Sequence, residues 1–165
     1  MNESTHEEEQ EFSDLLLECL QSGATLKDLR GVSDDLLESV YTHAYRFYEG
    51  GQLEQAESFF KFLCLYDFYN GEYAMGLAAV YQMQKQYQRA IDMYALAFAL
   101  TKDDYRPMFH VGQCQMALRN VSTAKECFTL VIGHCKDEAL TQRARHYIEA
   151  INLAQAKESK KPTGE

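Results

Sequence analysis

LESVYTHAYRFYEGGQLEQAESFFKFLCLYDFYN, residues 37–70, is the first of three stretches that share one register. Ala44, Ala78 and Gly112 stand 34 residues apart, as do Ala56, Ala90 and Ala124, and as do Phe60, Tyr94 and Phe128. Small, small and aromatic at fixed offsets in a 34-residue period is the pattern of the tetratricopeptide repeat, a pair of antiparallel helices. Two helices can approach closely only where their facing side chains are small. The aromatic then fills the space between one helix pair and the next. The repeats span about 37–70, 71–104 and 105–138, with turns at Gly50 to Leu53, Gln84 to Tyr87 and Arg119 to Val121. The pattern is not complete. Val40, Ala74 and Met108 stand where Trp is usual, and no repeat carries the usual late proline.

Outward from the repeats the chain stays helical in character. Leu36, Leu37, Val40, Ala44 and Phe47 follow helical spacing. The only prolines are Pro107 and Pro162, and Asn70 and Asn120 sit where an N-cap is needed. The fold class expected is all-α: roughly eight helices in a short solenoid, flanked by N-terminal helices and a C-terminal capping helix. The partition is 1–8 as a disordered N-terminus, 9–35 as an N-terminal helical segment, 36–138 as the three repeats, 139–158 as the capping helix and 159–165 as a disordered tail. Glu9 to Ser22 reads as an amphipathic helix with Phe12, Leu15, Leu16, Cys19 and Leu20 on its apolar face. Thr25 and Asp28 fit a capping box. Leu140, Ala144, Tyr147, Ile148 and Ile151 should turn inward, because a bare repeat stack exposes its core.

Composition narrows the function. Asp and Glu outnumber Lys and Arg by 25 to 16, the opposite of what phosphate binding or a polybasic membrane anchor needs. No direct nucleic-acid or membrane partner is expected. Met1 to Asp14 holds six acids and no base, the reverse of a secretory n-region, so a cytoplasmic location follows. Cys19, Cys64, Cys114, Cys127 and Cys135 form no CxxC pair and read as small buried hydrophobes. With His110, His134 and His146 they match no zinc spacing. No phosphate loop, GxSxG or HExxH occurs. No catalytic residue, metal or cofactor is expected, and His43 reads as a packed or boundary residue.

The inner face of a tetratricopeptide stack carries more information. Helix A of each repeat lines it through positions 2, 5, 9 and 12. In the first repeat these are Glu38, Tyr41, Tyr45 and Tyr48. In the second they are Glu72, Met75, Ala79 and Gln82, and in the third Arg106, Phe109, Gln113 and Met116. Tyrosine gives contact area with a polar tip at low entropic cost, and methionine adapts to varied apolar partners. The competing reading is that some of these side chains merely pack on neighbouring helices.

The stretches GATLKDLRGVSDDLLESVYTHAYRFYEGGQLEQAESFFKFLCLYDFYNGEYAMGLAAVYQ, YQRAIDMYALAFAL and KDDYRPMFHVGQCQMAL resemble the class II chaperones of type III secretion, in particular the invasion translocator chaperones of Salmonella and Shigella. FLCLYDFYN and MGLAA are the most specific segments, and the likeness runs from about Gly23 to Ile151. The resemblance implies a bacterial cytoplasmic chaperone, not an enzyme, that binds two hydrophobic translocator proteins and keeps them soluble, apart and protected until export. It implies that a short extended cargo segment of the Pro-x-Leu-x-x-Pro type lies in the concave groove, at positions that here include Tyr41, Tyr45, Tyr48, Phe62, Tyr66 and Met75. It also implies, for some relatives, transcriptional co-activation with an AraC-type regulator, and homodimers through the N-terminal helix. The alternative is a generic tetratricopeptide scaffold or co-chaperone reading C-terminal peptides. That would call for a Lys/Arg clamp, and only Arg106 falls in the groove, with Arg46 and Lys61 on other faces. A cysteine enzyme built on Cys64 has no identifiable base.

Overall fold

The computed structural model describes Asp14, Leu17, Glu18 and residues 21–158. Asp14, Leu17, Glu18, Gln21 and Ser22 are helical. The apolar face expected at Phe12, Leu15, Leu16, Cys19 and Leu20 lies outside the described residues, as do the segments 1–8 and 159–165. The succeeding helices are α1 (Leu26–Arg30), α2 (Asp34–Glu49), α3 (Leu53–Tyr66), α4 (Gly71–Met83), α5 (Tyr87–Leu100), α6 (Arg106–Ala117), α7 (Val121–His134) and α8 (Glu138–Glu158). There is no strand among the described residues. From α2 onward each helix packs chiefly on its neighbours in sequence, whereas the short α1 rests on α3; the run from α2 is the signature of a solenoid.

Helix starts follow from local chemistry. Before α1 the Asp28 carboxylate accepts from the Thr25 amide at 2.9 Å and from its hydroxyl at 2.7 Å. Ser33 accepts from the Leu36 amide at 3.3 Å to open α2. Asn70 accepts from the Glu72 amide at 3.0 Å to open α4. Each oxygen satisfies a backbone donor that has no intrahelical partner. Asn120 occupies the residue before α7 without capping it; its side-chain Nδ2 donates to Gln115 Oε1 at 2.9 Å. Pro107 lies in the first turn of α6, where a missing N–H removes no helical bond.

The turn inside each repeat is the same device used three times. The chain turns left-handed at Gly51 (φ 71), Lys85 (φ 61) and Arg119 (φ 63). Behind these residues the amides of Gln52, Gln86 and Asn120 bond to the carbonyls of Phe47, Tyr81 and Gln115, each at 2.9 Å. This is the Schellman closure of a helix C-terminus. Only the first turn spends a glycine on it. Lys85 and Arg119 accept a conformation that costs an L-residue roughly 1–2 kcal/mol.

Packing explains the small residues. Ala44, Ala56, Ala78, Ala90 and Ala124 have no exposed surface, and Phe60, Tyr94 and Phe128 are all within 1% of fully buried. A Cβ added at Gly76 would lie 2.1 Å from the Phe60 ring, and one at Gly112 would lie 2.7 Å from the Phe128 ring. Phe60 therefore sits directly on the backbone of the next repeat, and Phe128 on that of its own. Leu140, Ala144 and Ile151 of α8 are buried, with Tyr147 and Ile148 packed beside them. Lys27 ties α1 to the rest, bonding Asp34 at the start of α2 and Asp67 just after α3, both at 3.0 Å. His43 departs from its expected packing: it is exposed, and its Nδ1 bonds the Ser39 carbonyl at 2.7 Å on its own helix.

Two substitutions test the shared register in opposite directions. Lys85→Gly relieves the left-handed strain but gives the unfolded chain more freedom, for a net gain of about 0.5–1 kcal/mol. Ala90→Leu forces a side chain into a filled helix crossing and loses about 1–3 kcal/mol. Urea unfolding midpoints should rise for the first and fall for the second. No change for Ala90→Leu would contradict the crossing.

Candidate functional site

Helices α2, α4 and α6 stand side by side, and with α5 and α8 they line an open groove of about 660 Å³. One wall is a tyrosine stripe. Tyr41, Tyr45 and Tyr48 recur at helical spacing and therefore share one face of α2. Ring centroids are 6.4 Å apart for Tyr41–Tyr45 and 6.0 Å for Tyr45–Tyr48. Tyr45 is 46% exposed. Tyr41 reaches deeper, edge-on to Phe60 at 6.0 Å and 5.7 Å from Tyr73. Burial raises the hydroxyls of Tyr41 and Tyr48 above the ordinary tyrosine range, with Glu72 adding to the first and Tyr45 to the second. Both stay neutral donors at physiological pH. Facing them α4 supplies Met75, Gly76, Ala79 and Met83, the last 55% exposed.

The floor is polar and internally bonded. The Tyr94 hydroxyl donates to Gln82 Oε1 at 2.7 Å, and Gln82 Nε2 reaches Gln113 Oε1 at 3.5 Å. His110 Nδ1 bonds the same Gln113 oxygen at 2.9 Å, and Gln113 Nε2 donates to the Tyr147 hydroxyl at 2.8 Å. Because that oxygen can only accept, His110 carries its proton on Nδ1. The ring stacks on Tyr94 at 5.1 Å. Burial lowers the His110 pKa; the Gln113 bond opposes this, while Arg143 and Arg106 push it lower still. Arg106 pairs with Glu72 and with Asp104.

Of the site residues expected from sequence, Tyr41, Tyr45, Tyr48, Met75, Ala79, Gln82 and Gln113 come together on this groove. Four do not. Phe62 stacks on Tyr66 at 4.4 Å, and Phe62 joins Val40 and Phe59 in a separate apolar depression of about 300 Å³. Phe109 has no exposed surface, since its ring packs against Phe128 and Tyr147 and lies under the Arg143 guanidinium at 4.6 Å. Met116 packs against the Phe109–Phe128 cluster. The groove also holds Gly76, Met83, Tyr94, His110 and Arg143, none of which the helix-A positions had named. Tyr94 had a signal: among Phe60, Tyr94 and Phe128 it alone carries a hydroxyl. Cys64 lies elsewhere, and burial pushes its thiol up to about 12; a thiol so protonated is no nucleophile at neutral pH.

Comparison with known proteins follows the same lines. The sequence model of the tetratricopeptide-repeat family matches residues 37–70 and 72–104. The chaperone protein SicA of Salmonella typhimurium is 47% identical over 150 residues, which cover 91% of each chain. A type III secretion complex from Aeromonas hydrophila superposes with a TM-score of 0.78 at 29% identity, covering 87% of this chain and 98% of that one. PcrH of Pseudomonas aeruginosa has been solved with the chaperone-binding regions of PopD and of PopB. The TM-scores are 0.70 and 0.66, each at 29% identity, covering 76% and 71% of this chain and 97% and 98% of PcrH.

His110 gives the groove a pH signature. Its folded pKa lies below the unfolded value of about 6.5. Above that value the histidine is neutral in both states and costs nothing. As pH falls below it the unfolded chain takes up a proton first, so stability is lost down to the folded pKa. The fall in unfolding midpoint between about pH 7.5 and 5.5 should be smaller in His110→Gln than in the wild type. An equal fall in both would contradict the buried neutral imidazole.

Proposed function

The chain belongs to the class II chaperones of type III secretion, and from that premise we propose that it holds hydrophobic translocator proteins by an extended segment seated in the tyrosine-lined groove. So held, each translocator stays soluble, apart from its partner and shielded from proteolysis until export. The observation that carries this reading is the wall of exposed Tyr45 and Met83 with half-buried Tyr48, apolar area that stays open to solvent among the described residues. Helices offer no free backbone edge, so a strand-like cargo must be gripped by side-chain pockets. Tyrosine and methionine supply area and tolerance of varied anchors. The Gln82–Gln113 floor supplies amides within reach of a cargo backbone. Affinity should be moderate, because the cargo gives up conformational freedom on binding and must later leave.

A clamp of several cations for a terminal carboxylate fits less well, since Arg106 is committed to Glu72 and Asp104 and leaves Arg143 as a single groove cation. The reading carries with it a bacterial cytoplasmic setting and a role without catalysis. It also carries the partnerships that the resemblance implies, with an AraC-type regulator and with a second copy through the N-terminal segment.

Tyr45→Ala combined with Tyr48→Ala tests the site. Tyr41 is left intact because its contacts with Phe60 and Tyr73 make it part core. Two anchors worth about 1 kcal/mol or more each should weaken binding well over tenfold. Titration calorimetry with a translocator's chaperone-binding region reads this out, with unfolding of the same variant as control. Binding at wild-type strength would contradict the proposal.

A further inference from the structure

Register extends beyond the third repeat. Tyr41, Met75, Phe109 and Arg143 are spaced 34 residues apart, so Arg143 of α8 occupies the position that faces the groove as Tyr41 and Met75 in the first two repeats and is buried as Phe109 in the third. It lines the groove, is exposed, and lies with its guanidinium 4.6 Å over the Phe109 ring. Stacking uses the face of the guanidinium and leaves its N–H edge free for a planar acceptor.

The charges around it are unequal. The groove is lined by one carboxylate, Glu72, and two guanidiniums, Arg106 and Arg143. Arg106 uses Glu72, and Asp104 as well. Among the described residues no carboxylate lies within ion-pair distance of Arg143. In a chain of net charge −9, Arg143 is therefore a groove cation that no carboxylate neutralises at ion-pair distance among the described residues.

We propose that Arg143 sets the orientation and chemistry of the bound segment by taking an Asp or Glu side chain of the cargo, while the tyrosine stripe takes its apolar anchor. This rests on the groove reading above. The guanidinium sits over a residue of α6, two helix-to-helix steps from α2. At roughly 10 Å per step and about 3.3 Å per extended residue, the carboxylate falls about six residues from the anchor at the tyrosines.

The test uses the full chain and a set of synthetic peptides, acetylated and amidated so that no terminal carboxylate contributes. Each carries a Pro-x-Leu-x-x-Pro core. One pair places Glu or Gln about six residues after the core leucine, and a second pair places them as far before it. In one of the two pairs, Glu should bind about five- to tenfold tighter than Gln. That gain should vanish in Arg143→Gln, be reduced but not abolished in Arg143→Lys, which keeps the charge and loses the planar fork, and shrink at high salt. Comparing Glu with Gln within each variant cancels any general loss from uncovering Phe109. Equal binding of Glu and Gln peptides in both placements, or a gain that persists in Arg143→Gln, overturns the inference and leaves the groove reading standing. Failure of every peptide to bind overturns both.

Discussion

Close approach of helices at an aromatic ring set against a small residue is the contact on which the rest of the molecule depends. Phe60 lies on Gly76, and Phe128 on Gly112, at distances where even a methyl group would collide. Alanines at positions 44, 56, 78, 90 and 124 are wholly buried at the corresponding crossings. With so little side chain between the backbones, each helix is held in one orientation against the next. Small residues and rings that recur every 34 residues repeat the orientation, which is why α2, α4 and α6 all contribute to a common groove.

That division of labour separates stability from binding. The ring series at 60, 94 and 128 is committed to the core, whereas residues three or four positions along the A helices are left on the inner surface. Tyr41 marks the boundary between the two roles, with one edge on Phe60 and another in the groove. Tyr94 crosses the boundary the other way: its ring is core and its hydroxyl bonds Gln82. The result is a surface that is apolar where Tyr45 and Met83 stand exposed and polar where Gln82, Gln113 and His110 are bonded together. It offers hydrophobic anchorage beside groups that can satisfy a cargo backbone.

Much of this was legible in the sequence, and the exceptions have physical causes. The period announced itself because Ala, Gly and aromatic residues at a helix crossing tolerate little else. The turns at Lys85 and Arg119 were located without their left-handed backbone being foreseen, since only Gly51 advertises such a conformation. Phe109 was expected to face the groove because helix position alone sets direction. It is hidden because α8 brings Arg143 and Tyr147 over it, a tertiary contact that repeat spacing does not encode. Arg143 was missed because the repeat count stopped at residue 138, although one more step of the register lands on it. Phe62 and Tyr66 came from family likeness rather than register; Phe62 lies with Val40 and Phe59 in a different depression, and Tyr66 stacks on Phe62 and packs on the core.

Two exposed apolar surfaces are thus available to a cargo chain, and the central claim is that the tyrosine groove is the one used. Tyr45 and Phe62 stand on these two surfaces with similar exposure, 46% and 37%. Each can be replaced by a photoreactive phenylalanine analogue in the otherwise intact chain. Irradiation with a bound translocator should link cargo to position 45 and leave position 62 essentially unreacted. Cross-linking through position 62 with none through position 45 would contradict the assignment of the groove.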